Sequence, residues 1–132
     1  METIRIIIER SVDYFDAYAE NCDGIYGAGE TAEEAKKDAL KGLGLFVNTR
    51  SKEDLPKILR GDYEVIFKYD IRSLLNYYNQ YFSNVALERL TGINQKQLFH
   101  YASGLKQPRE AQRKKIEESL HKLGRELLAV EL

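Results

Sequence analysis

Cysteine is all but missing from this chain: among 132 residues, Cys22 stands alone. An internal disulfide and a cysteine-rich metal site are therefore excluded, and a reducing cytoplasm is the expected setting. Cys22 itself reads as a partly buried residue rather than a reactive thiol. Histidine is nearly as scarce, with His100 and His121 only. No Ser/His/Asp or Cys/His set can be assembled around them, and no glycine-rich phosphate loop occurs. Long apolar runs are missing too. The longest, Leu43–Val47, is interrupted by Gly44 and falls far short of the roughly 18 residues a membrane span needs. Met1-Glu2-Thr3-Ile4-Arg5 has no basic stretch leading into an apolar core, so no secretory signal is expected. No internal repeat or low-complexity tract is present. What remains is a globular chain, 43% hydrophobic and 31% charged, sized for one ordinary domain or two small ones.

The net charge of −1 hides an asymmetry. Residues 1–70 carry 15 acids and 10 bases, net −5, while residues 71–132 carry 6 acids and 10 bases, net +4. Two halves of opposite sign imply two jobs, and the basic half is the natural place for phosphate contacts.

Ile4, Ile6 and Ile8 alternate with polar neighbours, which predicts a strand with one buried face. Ile7 implies partial cover on the other. Ser11-Val12-Asp13 reads as a hairpin turn into a second strand over Tyr14–Glu20. A loop, Asn21–Gly24, precedes a short third strand, Ile25–Ala28, ending at Gly29. Thr31-Ala32-Glu33-Glu34 is a capping box. The helix it opens carries Ala32, Ala35, Ala39, Leu43, Phe46 and Val47 on one stripe and is expected to end near Asn48. Residues 49–62 read as a polar connector with a short helical turn. Tyr63, Val65, Phe67 and Tyr69 then alternate with Glu64, Ile66 and Lys68 as a fourth strand. The first half is thus predicted to be β-β-β-α-β, an antiparallel sheet with a helix on one face.

From Asp70 onward the periodicity is helical. Asp70 is placed to cap a helix bearing Ile71, Leu74, Leu75 and Tyr78. Ser83 caps a second with Ala86, Leu87 and Leu90, broken by Gly92. Asn94 caps a third with Leu98, Tyr101 and Ala102 inward, ended by Gly104. Pro108 suits the first turn of a fourth, which carries Ile116, Leu120, Leu123 and Leu127. The fold class is therefore α+β: an N-terminal module over 1–69 and an all-α domain over 70–132.

Within the second domain, Leu90–Gly104 carries the strongest signal. A helix, a tight glycine turn and a short capped helix make a helix-turn-helix. The outward positions hold Gln95, Lys96, Gln97 and His100; glutamine pairs with adenine and lysine with guanine in the major groove. Lys106 and Arg109 follow where the chain leaves the helix and can meet phosphate. The segment resembles the Xre/Cro/lambda-repressor family, in the turn glycine at Gly92, Ile93-Asn94-Gln95 leading into the second helix, then Tyr101-Ala102-Ser103-Gly104 and Pro108. That resemblance implies base contacts from Gln95, Lys96 and His100. The position four before the turn glycine, usually small in that family, is Glu88 here. The DNA-binding set read from the sequence is Asn94, Gln95, Lys96, Gln97, His100, Lys106 and Arg109.

The first half resembles a second family. Tyr14–Glu20, then Gly24-Ile25-Tyr26-Gly27-Ala28-Gly29-Glu30-Thr31-Ala32-Glu33-Glu34-Ala35, looks like the N-terminal domain of HicB antitoxins. Its Asn21-Cys22-Asp23-Gly24 loop lacks that family's proline. The resemblance implies a partial ribonuclease-H-like fold without nuclease chemistry, joined to a C-terminal DNA-binding domain. It also implies a small, basic, HicA-like toxin ribonuclease as partner. Two-metal hydrolysis needs several converging carboxylates. Asp13, Asp16, Asp23 and Glu30 are the nearest candidates, and the predicted elements do not gather them, so no catalytic residue, metal or cofactor is expected. Tyr14, Tyr18, Tyr26, Tyr63 and Tyr69 concentrate in strands, as tyrosine does in any protein, but tyrosine is also favoured at interfaces. Tyr14, Tyr18 and Tyr26 are the candidate partner-binding residues.

The expected function is a cytoplasmic antitoxin that blocks a toxin and represses its own operon, with operator DNA, the toxin and a second copy as partners and no membrane. The alternative is a transcriptional regulator without a toxin, its first module used for dimerisation or ligand sensing. A degenerate nuclease-fold enzyme, or a bundle used only for dimerisation, completes the set. Specific DNA reading needs two half-sites, which predicts a homodimer or a dimer of dimers through the apolar tail Leu127–Leu132 or a sheet edge.

Overall fold

Burying an isoleucine side chain is worth about 1.5–3 kcal/mol, and the first strand buries three on one face. The computed structural model describes residues 1–132 as two compact units, Met1–Tyr77 and Tyr78–Leu132. In the first unit, β1 (Glu2–Arg10) has Ile4, Ile6 and Ile8 fully buried. It pairs antiparallel with β2 (Phe15–Ala19), and β2 with β3 (Tyr26–Gly29). Asn21 extends this pairing beyond β2: its side chain accepts from the Arg5 N–H and donates to the Thr3 carbonyl. A helix, α1 (Ala32–Asn48), follows, and then β4 (Tyr63–Tyr69).

β4 lies parallel to β1, giving the order β3-β2-β1-β4 and a mixed sheet. The all-antiparallel expectation is corrected here. The reason is topological: two antiparallel pairings leave β3 running in the direction of β1, and the α1 crossover returns the chain in the direction of the strand it left, so β4 lands parallel to β1. The architecture is otherwise α+β, with four strands and five helices.

Small residues let α1 ride close on β3. A Cβ added to Gly27 would collide with the backbone of Ala39 and lie 2.7 Å from the Ala35 carbonyl oxygen. Ala35 and Ala39 meet this strand as fully buried residues, and Ala32 is fully buried one turn earlier. The Thr31 hydroxyl accepts from the Glu34 N–H at 3.1 Å, and the Glu34 carboxylate reaches back to the Glu30 N–H at 2.9 Å. Asp38 takes the Ala28 N–H at 3.0 Å, which satisfies a donor on an edge strand. The 49–62 connector contributes more than expected: two 3-10 turns, Lys52–Asp54 and Lys57–Leu59, frame Leu55 and Leu59, both buried in the core.

The next helix, α2 (Ile71–Tyr78), belongs almost wholly to this first unit. Asp70 holds its start: one carboxylate oxygen accepts from the Ser73 N–H and the other from the Arg10 N–H, both at 2.8 Å. Asn76 accepts from the Ala32 N–H at 2.9 Å, serving an orphan donor at the start of α1. The Lys36 ammonium lies 4.2 Å from the Phe67 ring centre and 4.4 Å from that of Tyr77. These ties place the division after Tyr77, one helix later than the boundary read after Tyr69.

The second unit contains α3 (Asn84–Thr91), α4 (Gln95–Ser103) and α5 (Glu110–Leu128). Leu87, Ile93, Leu98, Tyr101 and Ile116 are its buried apolar residues. Ser83 caps α3 as expected, accepting from the Ala86 N–H at 3.1 Å. Arg109 is the N-cap residue of α5, so Pro108 is buried just before the cap instead of occupying the first turn. No helix is long and apolar enough to cross a membrane.

Candidate functional site

The segment between α3 and α4 is three residues long, and each is fixed by a distinct interaction. Gly92 sits at φ 74°, in the left-handed region that costs a side chain about 1–2 kcal/mol, and its N–H donates to the Glu88 carbonyl at 2.7 Å. Thr91 is buried; its hydroxyl donates to the Leu87 carbonyl at 2.7 Å and accepts from the Ile93 N–H at 3.1 Å. Ile93 is buried beside it. Asn94 accepts from the Lys96 N–H at 2.8 Å through its side-chain oxygen. The Glu88 carboxylate takes the Gln95 N–H at 2.8 Å. A negative group is favourable there, at the positive end of the α4 dipole. Neither Thr91 nor Glu88 stood out as a turn residue in the sequence.

These contacts distribute the candidate residues in three ways. Gln95 and Lys96 are exposed on α4, and the exposed positions Phe99 and Ser103 continue the same face. Asn94 is exposed, but its side-chain oxygen is committed to the cap. Gln97 and His100 lie on the flanks and are half-buried, which corrects the outward placement read for them. Gln97 donates from Nε2 to the Tyr101 hydroxyl at 3.0 Å, and His100 has its Nδ1 buried without a partner. The 100° step of an α-helix accounts for this: positions 95, 96, 99 and 103 fall within one arc of about 100°, while 97 and 100 turn away from its centre. Phe99 was missed because an aromatic residue between inward positions reads as core; it is 61% exposed.

Lys106 and Arg109 are exposed and open onto a hollow of about 550 Å³ shared with Gln97, Tyr101, Gln107 and Gln112. Gln107 and Gln112 were not read as site residues, since isolated glutamines in a polar stretch give no periodic signal. The wider segment 89–116 carries seven bases and one acid, Glu110, net +6. Such a concentration attracts polyanions from a distance.

The chain matches no family model, no curated protein and no solved structure.

On the first unit, the sheet face away from α1 carries a row set by register. Tyr26 is opposite Tyr18, Tyr18 opposite Ile7, and Ile7 opposite Lys68. Tyr26 is 70% exposed, and Tyr14, at the head of β2, is exposed as well. The next row is Ala28, Asp16 and Glu9. Partial burial pushes the Tyr18 phenol above its ordinary range, and Glu9, Glu20 and Asp16 add to the shift. The five tyrosines do not form one cluster: Tyr63 and Tyr69 pack against the core instead. Asp13, Asp16, Asp23 and Glu30 do not join any group of three or more metal-type ligands.

Proposed function

We propose that the second unit is a helix-turn-helix DNA-binding domain whose α4 enters the major groove, and that the protein is a repressor of the antitoxin type. The observation that carries this reading is the pairing of an exposed α4 face, Gln95 and Lys96, with the cationic segment 89–116 beside it. Capping by Asn94 and Glu88 fixes the start of α4, which is where a recognition helix touches base edges. Glutamine and lysine there supply donors and acceptors for adenine and guanine. Lys106 and Arg109 supply sequence-independent phosphate contacts.

The first unit, a partial ribonuclease-H-like module in this reading, holds the partner. Its sheet face offers Tyr14, Tyr18 and Tyr26 beside Glu9 and Asp16, and the unit carries 15 acids and 11 bases, net −4. An aromatic face set among acids suits a small basic protein such as a HicA-like toxin. A regulator without a toxin would use the same face for its own pairing, and co-expression with the product of a neighbouring short basic reading frame separates the two.

The test of DNA reading is a binding series. A preferred duplex is first selected from a random pool. Gln95→Ala is expected to weaken that duplex by about 1–3 kcal/mol and random DNA much less. Lys106→Gln or Arg109→Gln is expected to weaken all duplexes alike and lower the salt slope by about one per charge. Undiminished binding by the Gln95→Ala/Lys96→Ala double variant would reject the groove assignment.

A further inference from the structure

The hollow beside α4 is built from Gln97, Tyr101, Lys106, Gln107, Arg109 and Gln112. Tyr101 is 2% exposed, and its hydroxyl accepts from Gln97 Nε2 at 3.0 Å, but its own proton meets no acceptor in the chain. A phenol is both donor and acceptor. With Gln97 as the donor in that bond, the hydroxyl keeps its own proton for another acceptor.

The rest of the lining has one chemical character. Lys106 and Arg109 are exposed, and neither belongs to the Arg5–Glu20 or Lys37–Glu33 ion pair. No carboxylate lines the hollow, and the three glutamines each bring an amide N–H₂. A phenol proton, a guanidinium fork, an ammonium and amides are the groups that bind a tetrahedral oxyanion.

We infer that this hollow is the seat of one phosphodiester group, held by Tyr101 O–H and Arg109 with Lys106 at its mouth. It fixes how far α4 is rotated in the groove. The identity of the carrier as duplex DNA rests on the function proposed above; the seat itself rests on the hollow.

The full chain tests it in two arms. In the first, Tyr101→Phe keeps the ring and removes the donor. It is expected to weaken selected and random duplexes alike by on the order of tenfold, with the salt slope unchanged because no charge is lost. Arg109→Gln is expected to lower that slope by about 0.9. In the second, titration with inorganic phosphate, followed by amide chemical shifts, is expected to move Gln97, Tyr101 and residues 107–112 in the parent and not in Tyr101→Phe. Duplex binding by Tyr101→Phe equal to the parent overturns the seat, and a simultaneous loss in Gln95→Ala would leave the groove reading standing. Phosphate shifts without any duplex binding keep the seat and remove DNA as its carrier. If Tyr101→Phe does not fold, the exposed Arg109→Gln decides: unchanged affinity and slope overturn the seat.

Discussion

A single hydrogen atom at residue 27 sets how closely α1 packs on β3. Gly27→Ala would drive a methyl into the Ala35 and Ala39 backbone, which cannot yield as a flexible side chain does. A loss of about 3 kcal/mol is expected in urea denaturation. Gly44 is the matched control: it lies inside α1, and a Cβ there meets nothing within 4 Å. Gly44→Ala is expected to stabilise by about 0.5–1 kcal/mol, and equal effects of the two variants would contradict the packing described. Tyr18 gives a pH signature. Its pKa is raised by partial burial first and by Glu9, Glu20 and Asp16 next. The folded state thus holds this proton more tightly than the unfolded one. The associated stability is intact below the ordinary tyrosine pKa, near 10, and is lost as pH rises through the higher folded value. Denaturation curves from pH 9 to 11 are expected to fall less steeply for Tyr18→Phe than for the parent. Cys22 is buried, with its thiol pushed up by that burial and by Asp23, so a thiol reagent at neutral pH is expected to label it only on unfolding. Stoichiometric labelling of the folded protein would contradict this.

At the level of elements, caps were the most legible feature. Thr31, Asp70, Ser83 and Asn94 all accept the backbone N–H bonds their positions implied, because an N-cap depends on local geometry alone. The α4 face was less legible. Of the four polar residues expected to face outward, Gln95 and Lys96 do, while Gln97 and His100 are half-buried, because polarity alone does not set exposure. The structure exposes Phe99 instead and turns Gln97 toward Tyr101, since the direction of the core is set by α3 and α5 and not by α4 itself. Glu88 shows the same limit. It interrupts a position expected to be small, yet its carboxylate serves the Gln95 N–H seven residues later. Glu88→Ala is expected to destabilise the second unit by about 1 kcal/mol and Glu88→Gln by less, because the amide keeps an acceptor oxygen. Thermal melts in which both variants equal the parent would remove Glu88 from the cap.

Over the whole molecule, charge separates by unit: net −4 over Met1–Tyr77 and, from 9 bases and 6 acids, net +3 over Tyr78–Leu132. The C-terminal end leaves Leu127, Leu128, Val130 and Leu132 exposed. We propose that a homodimer forms through this end, supplying the second half-site reader that the proposed function needs. Sedimentation at micromolar concentration is expected to show dimer or tetramer in the parent and a shift toward monomer in Leu127→Glu/Leu128→Glu. A monomeric parent would leave the domain too few contacts for specific DNA reading.

Local sequence sufficed for the alternation that buries Ile4, Ile6 and Ile8, the helix caps, the tight turn at Gly92 and the charge asymmetry. All of these are set by residues within a turn or two of one another, or by composition. Long-range packing decided other features. It laid β4 parallel to β1 and drew α2 into the first unit through Asn76, Tyr77 and Lys36. It buried Leu55 and Leu59 from a stretch that reads as polar, and it gathered residues from 97 to 112 around an open hollow beside Tyr101. Each of these depends on which distant surface a segment meets. Hydrophobic periodicity fixes which side of an element is apolar, but not the partner against which that side is buried.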